Sequence, residues 1–371
     1  MMSLLKQAFQ RLVNPMSGPR FQLDPFEPLS AQPDRELDVL LERLVVDDDT
    51  LEIHLALGEL FRKRGQIDRA IRVHEALLEA DLSEADVSRV RVELAQDFFS
   101  GGFLGHAESI LESMIVGDGM LNSARAFRLW LAVLEREQEW ERAIELVRKY
   151  GQAGSGSIRL ANFYCELAIK LSHEGQTTEA RHSLKEARRV SDSARTYLVS
   201  AELDTTQGNY HRAIRWLRDG LDRDVRRIDV ILPALKRLSR LTGGEATFRK
   251  YLETLYQRHP SHRILSELLD LVGPHDPRAM QWQNEFEQIV HSGASFDLMQ
   301  RWIEQRQDIG DRARSVLIES LKRIKLRLSD QYQCTHCGFQ STTLLWYCPQ
   351  CERWETLYSR HEQKTFEASN T

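Results

Sequence analysis

The stretch Gly65-Gln-Ile-Asp-Arg-Ala70-Ile reads as a turn entering the second helix of a helix pair, and it returns as Gly208-Asn-Tyr-His-Arg-Ala213-Ile. Outward from these two, one alanine recurs in phase at Ala70, Ala107, Ala143, Ala180 and Ala213. Twelve residues before each stand Gly58, Ala95, Leu131, Ala168 and Ala201, and five before each stand Gly65, Gly102, Gln138, Gly175 and Gly208. Antiparallel helices approach closely only where small side chains meet, which accounts for the first set and for the second, mostly small apart from Leu131. Glycine at the turn accepts the left-handed backbone that ends the first helix. Leu57 and Phe61, Leu94 and Phe98, and Leu167 and Leu171 supply the larger apolar filling. The intervals lie near the roughly 34 residues of a tetratricopeptide repeat. A sixth unit keeps the phase through Gly243, Leu252 and Pro260, and Trp282, Phe286 and Ile289 mark a further amphipathic helix.

The rest of the composition agrees. Of 371 residues, 42% are apolar and 28% charged, which excludes general disorder. Five of the ten prolines precede residue 34 and none falls between Pro33 and Pro233, leaving that span free to run helix after helix. With 50 basic and 55 acidic residues the net charge is −5, a poor basis for general attraction to nucleic-acid phosphates. No apolar run reaches the length of a bilayer-spanning helix, and no secretory signal opens the sequence. The expectation is a cytoplasmic protein.

Stacked helix pairs bury a continuous core and leave a concave groove along their first helices. Position within the repeat makes Glu59, Arg62, Gln96, Phe99, Arg125, Arg128, Asn162, Cys165, Arg195 and Glu202 the groove candidates. Their mixed polarity and several arginines suit an acidic or extended peptide. Cys165 reads as a small apolar filler rather than a reactive thiol.

Near the C-terminus, Tyr332-Gln-Cys334-Thr-His-Cys337-Gly-Phe precedes Leu345-Trp-Tyr-Cys348-Pro-Gln-Cys351-Glu-Arg-Trp354. Two Cys-x-x-Cys turns, ten residues apart, each present two thiolates and together complete a tetrahedral shell for one metal ion. Cys334, Cys337, Cys348 and Cys351 are therefore the expected ligands. A redox dithiol needs one such pair on a thioredoxin-like frame, and disulfides do not persist in a reducing compartment. A module this small also needs an ion to fold. Zinc and iron both accept four sulfurs, so the metal stays open. Tyr332, Phe339, Trp346, Tyr347, Trp354 and Tyr358 are expected to form the module's core and docking face.

Two amphipathic segments flank the array. Leu317, Leu321, Ile324 and Leu328 form a stripe with Arg312, Arg314, Lys322, Arg323, Lys325 and Arg327 around it, expected to dock on the last repeat. Leu5, Phe9, Leu12, Val13 and Met16 form another stripe with basic neighbours, fit for a membrane surface. The expected organisation is an amphipathic segment and proline-rich linker (1–34), a repeat solenoid (35–310), a basic capping helix (311–329), the four-cysteine ribbon (330–358) and a flexible tail (359–371). The fold class is all-α with one small metal module.

A repeat array followed by such a ribbon resembles the lipopolysaccharide assembly protein B family of Gram-negative bacteria, whose ribbon is described as rubredoxin-like. The resemblance spans about residues 45 to 358. It is carried by the run from Leu57 to His74, by Asn162-Phe-Tyr-Cys-Glu-Leu-Ala168, and by the knuckles with Trp346 and Trp354. It implies an adaptor at the cytoplasmic face of the inner membrane. That adaptor promotes degradation of the deacetylase committing cells to lipid A synthesis, through the membrane AAA+ protease. It also implies that the ribbon packs against the repeats. Family members typically begin with a membrane-spanning helix, whereas residues 1–20 here offer only a basic amphipathic surface.

No phosphate-binding Gly-Lys loop, His-Glu-x-x-His or Gly-x-Ser-x-Gly motif is present, so no catalytic residue is expected. Three function classes follow: a non-catalytic adaptor, a nucleic-acid-associated zinc-ribbon factor, and an iron-bearing electron carrier. The adaptor is the favoured reading, with no nucleic acid expected.

Overall fold

Where the alanine phase requires helix pairs, helix pairs form. The computed structural model describes residues 50–117, 124–151, 157–271, 277–291, 296–305, 309–328 and 332–360. The expected N-terminal segment and linker, and the tail beyond residue 360, lie outside the described residues. The chain divides into two compact units after Val133.

The first unit contains α1 (Leu51–Lys63), α2 (Ile67–Leu78), α3 (Glu84–Gly101) and α4 (Leu104–Glu112), which continues as a π-helical turn, Ser113–Gly117. Helix α5 (Ala124–Glu137) carries the division between the units. Phe61, Ala70 and Val73 pack together between α1 and α2, and Leu51, Leu55, Leu77 and Val90 join α1 to α2 and α3. Gly58 has no room for a side chain: a β-carbon there would lie 2.4 Å from Nε2 of the buried His74.

The second unit continues with α6 (Trp140–Tyr150), α7 (Ser157–His173), α8 (Thr177–Val190), α9 (Ala194–Thr206) and α10 (Tyr210–Arg223). A 3-10 turn (Val225–Arg227) leads into α11 (Ile228–Leu241), α12 (Glu245–Arg258) and α13 (His262–Leu271). Then come α14 (Pro277–His291), α15 (Phe296–Gln305) and α16 (Asp311–Leu328). On α10 the buried residues Ala213, Ile214, Leu217, Gly220 and Leu221 follow the helical period, so one stripe faces the core. That core runs on through Leu235, Phe248, Leu252, Leu268, Trp282 and Phe286. The five phased alanines are all fully buried.

One hydrogen-bonded turn repeats at six helix pairs among the described residues. The amide after the turn residue donates to the carbonyl five residues back: Gln66 to Phe61 (2.9 Å), Phe103 to Phe98 (2.8 Å), Glu139 to Leu134 (3.0 Å), Gln176 to Leu171 (2.8 Å), Asn209 to Asp204 (2.8 Å) and Gly244 to Ser239 (2.8 Å). Such a closure satisfies helix-end carbonyls only if the residue before it is left-handed. Five of the six are glycine; Gln138 holds the same conformation at φ 59°. A side chain there costs about 1 kcal/mol. Gln138→Gly is therefore expected to stabilise the protein by about that amount in denaturant titrations. Gly175→Ala should cost about as much, and purely through its backbone, because a β-carbon at Gly175 would touch nothing within 4 Å.

Helix α16 departs from expectation. It packs on α15, yet Leu317 and Ile324 stay 44% and 42% exposed, so the stripe is not sealed against the array. Beyond it, β1 (Tyr332–Cys334) lies between β2 (Gln340–Ser341) and β3 (Leu357–Ser359), antiparallel to both. No helix among the described residues is long and apolar enough to cross a membrane.

Candidate metal centre and the helix face it covers

The two cysteine turns are built alike. After the first sulfur of each, an amide four residues on donates back to the cysteine carbonyl: Gly338 to Cys334 (3.0 Å) and Glu352 to Cys348 (2.9 Å). The cysteine amide in turn donates to a carbonyl five residues on, Phe339 for Cys334 (2.8 Å) and Arg353 for Cys348 (2.9 Å). Gly338 and Glu352 both adopt left-handed backbone, at φ 77° and 56°. The tight reversal turns both sulfurs of each pair to the same side.

All four sulfurs lie within 4.8 Å of one another, and none is in a disulfide. Cys334 Sγ is 3.7 Å from Cys351 Sγ, and Cys337 Sγ is 3.6 Å from Cys348 Sγ. Four thiolates held tetrahedrally at about 2.3 Å from one ion stand about 3.8 Å apart, so the set fits one ion. Cys334 and Cys348 are buried; Cys337 and Cys351 are half-buried. Burial opposes ionisation of Cys334, but hydrogen bonding with the Thr356 hydroxyl and the amides of Cys337 and His336 wins, bringing its thiol down to about 6. Burial and the neighbouring sulfurs push Cys351 up to about 12. Four thiolates this close repel one another until a central cation offsets their charge. When bound, the ion would be held by these four cysteines; zinc would act structurally, and iron would add one-electron chemistry.

The ribbon rests on helices of the second unit, and arginines make the joint. Arg227, 2% exposed, donates from Nη1 to the Leu357 carbonyl (2.5 Å) and from Nη2 to the Glu355 carbonyl (2.9 Å). Its guanidinium also lies 3.8 Å from the Tyr358 ring centre and 4.8 Å from that of Trp346. Arg195 covers Trp346 and Trp354 at 5.2 and 4.9 Å. Polar tethers complete the joint: Trp354 Nε1 donates to Glu135 (2.8 Å), Asn162 Nδ2 to Glu355 (2.8 Å), Tyr332 Oη to Asp229 (2.6 Å), and Tyr358 Oη to Asp224 (3.1 Å). Phe163 meets Trp354 edge-on at 6.3 Å.

This joint decides what the groove candidates do. Asn162 and Arg195 are buried in it, and Arg195 is bonded to Asn162 and Glu166. Cys165, fully buried on the same helix as Asn162, has its thiol pushed up to about 12, chiefly by burial. The ribbon itself thus occupies the α7–α9 part of the face, and those three residues are closed to any client. In the first unit, Arg62 is engaged with Asp97 (2.6 Å) and Glu93 (2.8 Å), Arg125 pairs with the same Glu93, and Asp97 also binds the buried His74. Glu59 is exposed and pairs with Lys63 (2.6 Å); Gln96 and Phe99 are half-buried; Arg128 and Glu202 are exposed. Glu135, Asp224, Arg226, Arg227 and Asp229 escaped the sequence reading. The last four share one signal, the charged run Asp224-Val-Arg-Arg-Ile-Asp229 where α10 passes into α11, which does not reveal its partner; Glu135 has none.

Comparison with known proteins places both parts. Residues 332–358 match the family model described as rubredoxin metal binding domain, and residues 53–88 match the tetratricopeptide repeat. Lipopolysaccharide assembly protein B of Escherichia coli strain K12 is 25% identical over 336 residues, covering 89% of this chain and 86% of its own. The protein of that name from Haemophilus influenzae is 27% identical over 344 residues, with the same coverage. The chain is a relative of lipopolysaccharide assembly protein B. The resemblance read from the repeats and knuckles holds along most of its length. Among solved structures, a crystal structure of MamA covers 50% of this chain and 97% of its own at 19% identity and TM-score 0.36. Pseudomonas aeruginosa pilF covers 60% and 98% at 18% identity and TM-score 0.33.

Proposed function

We propose that this protein is a non-catalytic adaptor in the control of lipopolysaccharide synthesis, presenting a client on its repeats while the metal ribbon fixes their arrangement. The supporting observation is the ribbon's docking: a buried arginine and two tryptophans tie the metal module to helices from separate repeats. A domain held this way acts as a clip, setting the spacing of the helices beneath it. In this reading, which follows the family resemblance, the client is the deacetylase committing cells to lipid A synthesis, handed to the membrane AAA+ protease at the cytoplasmic face of the inner membrane. Residues 1–20 would supply surface contact there. The faces of Trp346, Trp354 and Tyr358 that base stacking would need are taken by Arg195, Arg226 and Arg227, which disfavours the nucleic-acid reading.

The test is affinity purification from the native host with membranes intact. Co-purification of protease and deacetylase, with deacetylase accumulating when the protein is depleted, is the expected result. Recovery of neither, or substrate turnover by the purified chain alone, would overturn the proposal.

A further inference from the structure

With the ribbon seated across α7 and α9, the face of first helices is open again at α11 and α13. There the two helices border a cleft of about 820 Å³. Four cations line it, Lys236, Arg237, Arg240 and Arg263, against one carboxylate, Glu267. Glu267 is already held by Lys236 at 2.6 Å. Arg237 is exposed and has no ion pair among the described residues, and Arg240 has only a loose 3.5 Å contact with the exposed Glu245. In a chain whose net charge is −5, such local excess is not a general property of the surface. The walls are also apolar: Leu232 is buried at the base, while Leu241 on the rim is 64% exposed.

We infer that this cleft is a docking site for an acidic peptide segment carrying a large aliphatic side chain. The inference rests on the adaptor reading and gives its client a location and a chemistry. Carboxylates on an extended strand would meet Arg237 and Arg240, and Leu241 would pack on the aliphatic anchor. The other anionic macromolecules fit less well. No Phe, Tyr or Trp lines the cleft to stack on bases, and a recess between two helices does not meet the plane of a bilayer.

The experiment uses the full chain with its metal. The probe is a short fluorescein-labelled peptide of alternating glutamate and leucine. Its glutamine counterpart, an oligouridylate and phosphatidylglycerol vesicles are the competing ligands. Saturable binding of the glutamate peptide alone is expected, weakened about tenfold or more by Arg237→Glu with Arg240→Glu. Leu241→Asp should weaken it separately, and reversal of the exposed Lys185 on α8 should not. All these side chains are exposed, and unchanged thermal unfolding checks that the variants fold. Equal binding by the charge-reversed variant, no binding by the wild-type chain, or preference for the oligouridylate or the vesicles each overturns the inference. If the cleft variants still capture protease and deacetylase from the host, the adaptor stands and this location is wrong. If the peptide binds the cleft while neither protein is captured, the location stands and the client identity is wrong.

Discussion

Arg227→Met is expected to release the ribbon from the helices while leaving its metal bound. Arg227 sits outside the cysteine cluster but carries the joint: its fork satisfies two ribbon carbonyls, and its face is shared by Tyr358 and Trp346. Methionine fills similar volume without donors. The carbonyls of Leu357 and Glu355 would then be desolvated without a partner, at about 1–3 kcal/mol each. Loss of a desolvated cation–π contact adds about 2 kcal/mol. Together that is roughly 4–8 kcal/mol, at least as much as breaking a buried ion pair from one side and enough to undo a small docked module. Lysine should rescue little, since a point charge cannot reach two diverging carbonyls as a planar fork does. Tryptophan emission should shift to the red as Trp346 and Trp354 become wet, and limited proteolysis should sever the ribbon while metal content stays unchanged. An unshifted spectrum with unaltered proteolysis would show that the aromatic contacts alone hold the module.

Such a residue could not be read from local pattern, and the reason is physical. The helix pairs were legible because a repeat imposes the same two constraints at each unit: a small residue where helices cross and a left-handed residue where they turn. Gln138 shows that phase mattered more than identity, because it takes the glycine conformation at the cost of its side chain. The cysteines were legible because coordination chemistry fixes their spacing. First-helix periodicity groups Asn162, Cys165 and Arg195, but periodicity alone cannot say what lies against them. The occupant comes from far along the chain, through pairs such as Asn162 with Glu355 and Glu135 with Trp354. Arginines were read as hands held out to a client, whereas Arg62 and Arg195 are spent inside the fold on carboxylates and rings. The stripe on α16 is only partly covered for the converse reason: amphipathicity shows that a face wants cover, not how complete the cover is.

Removing the metal is expected to have the largest effect of all, and it should stop at the ribbon's border. The module's buried cluster consists of Cys334, Cys348 and Leu357, so two of its three core side chains are themselves candidate ligands. Without the ion the four sulfurs lose the centre that holds them together, and only a small buried apolar core opposes unfolding. A structural ion supplies on the order of 10 kcal/mol to such a site, beyond anything the remaining contacts can replace. Chelation, or Cys348→Ser, should therefore unfold the ribbon and with it the clamp on α7, α9 and the Val225–Arg227 turn. Thiol alkylation followed by mass spectrometry separates the outcomes. In the loaded protein none of the five cysteines should react within the assay. After chelation the four ribbon thiols should react and Cys165 should not, because it lies fully buried in α7 with its thiol pushed up to about 12. Reaction at all five would mean that the repeats depend on the clip for their own folding. Protection of all five would mean that the ribbon holds its shape without an ion, contrary to the small apolar core it has.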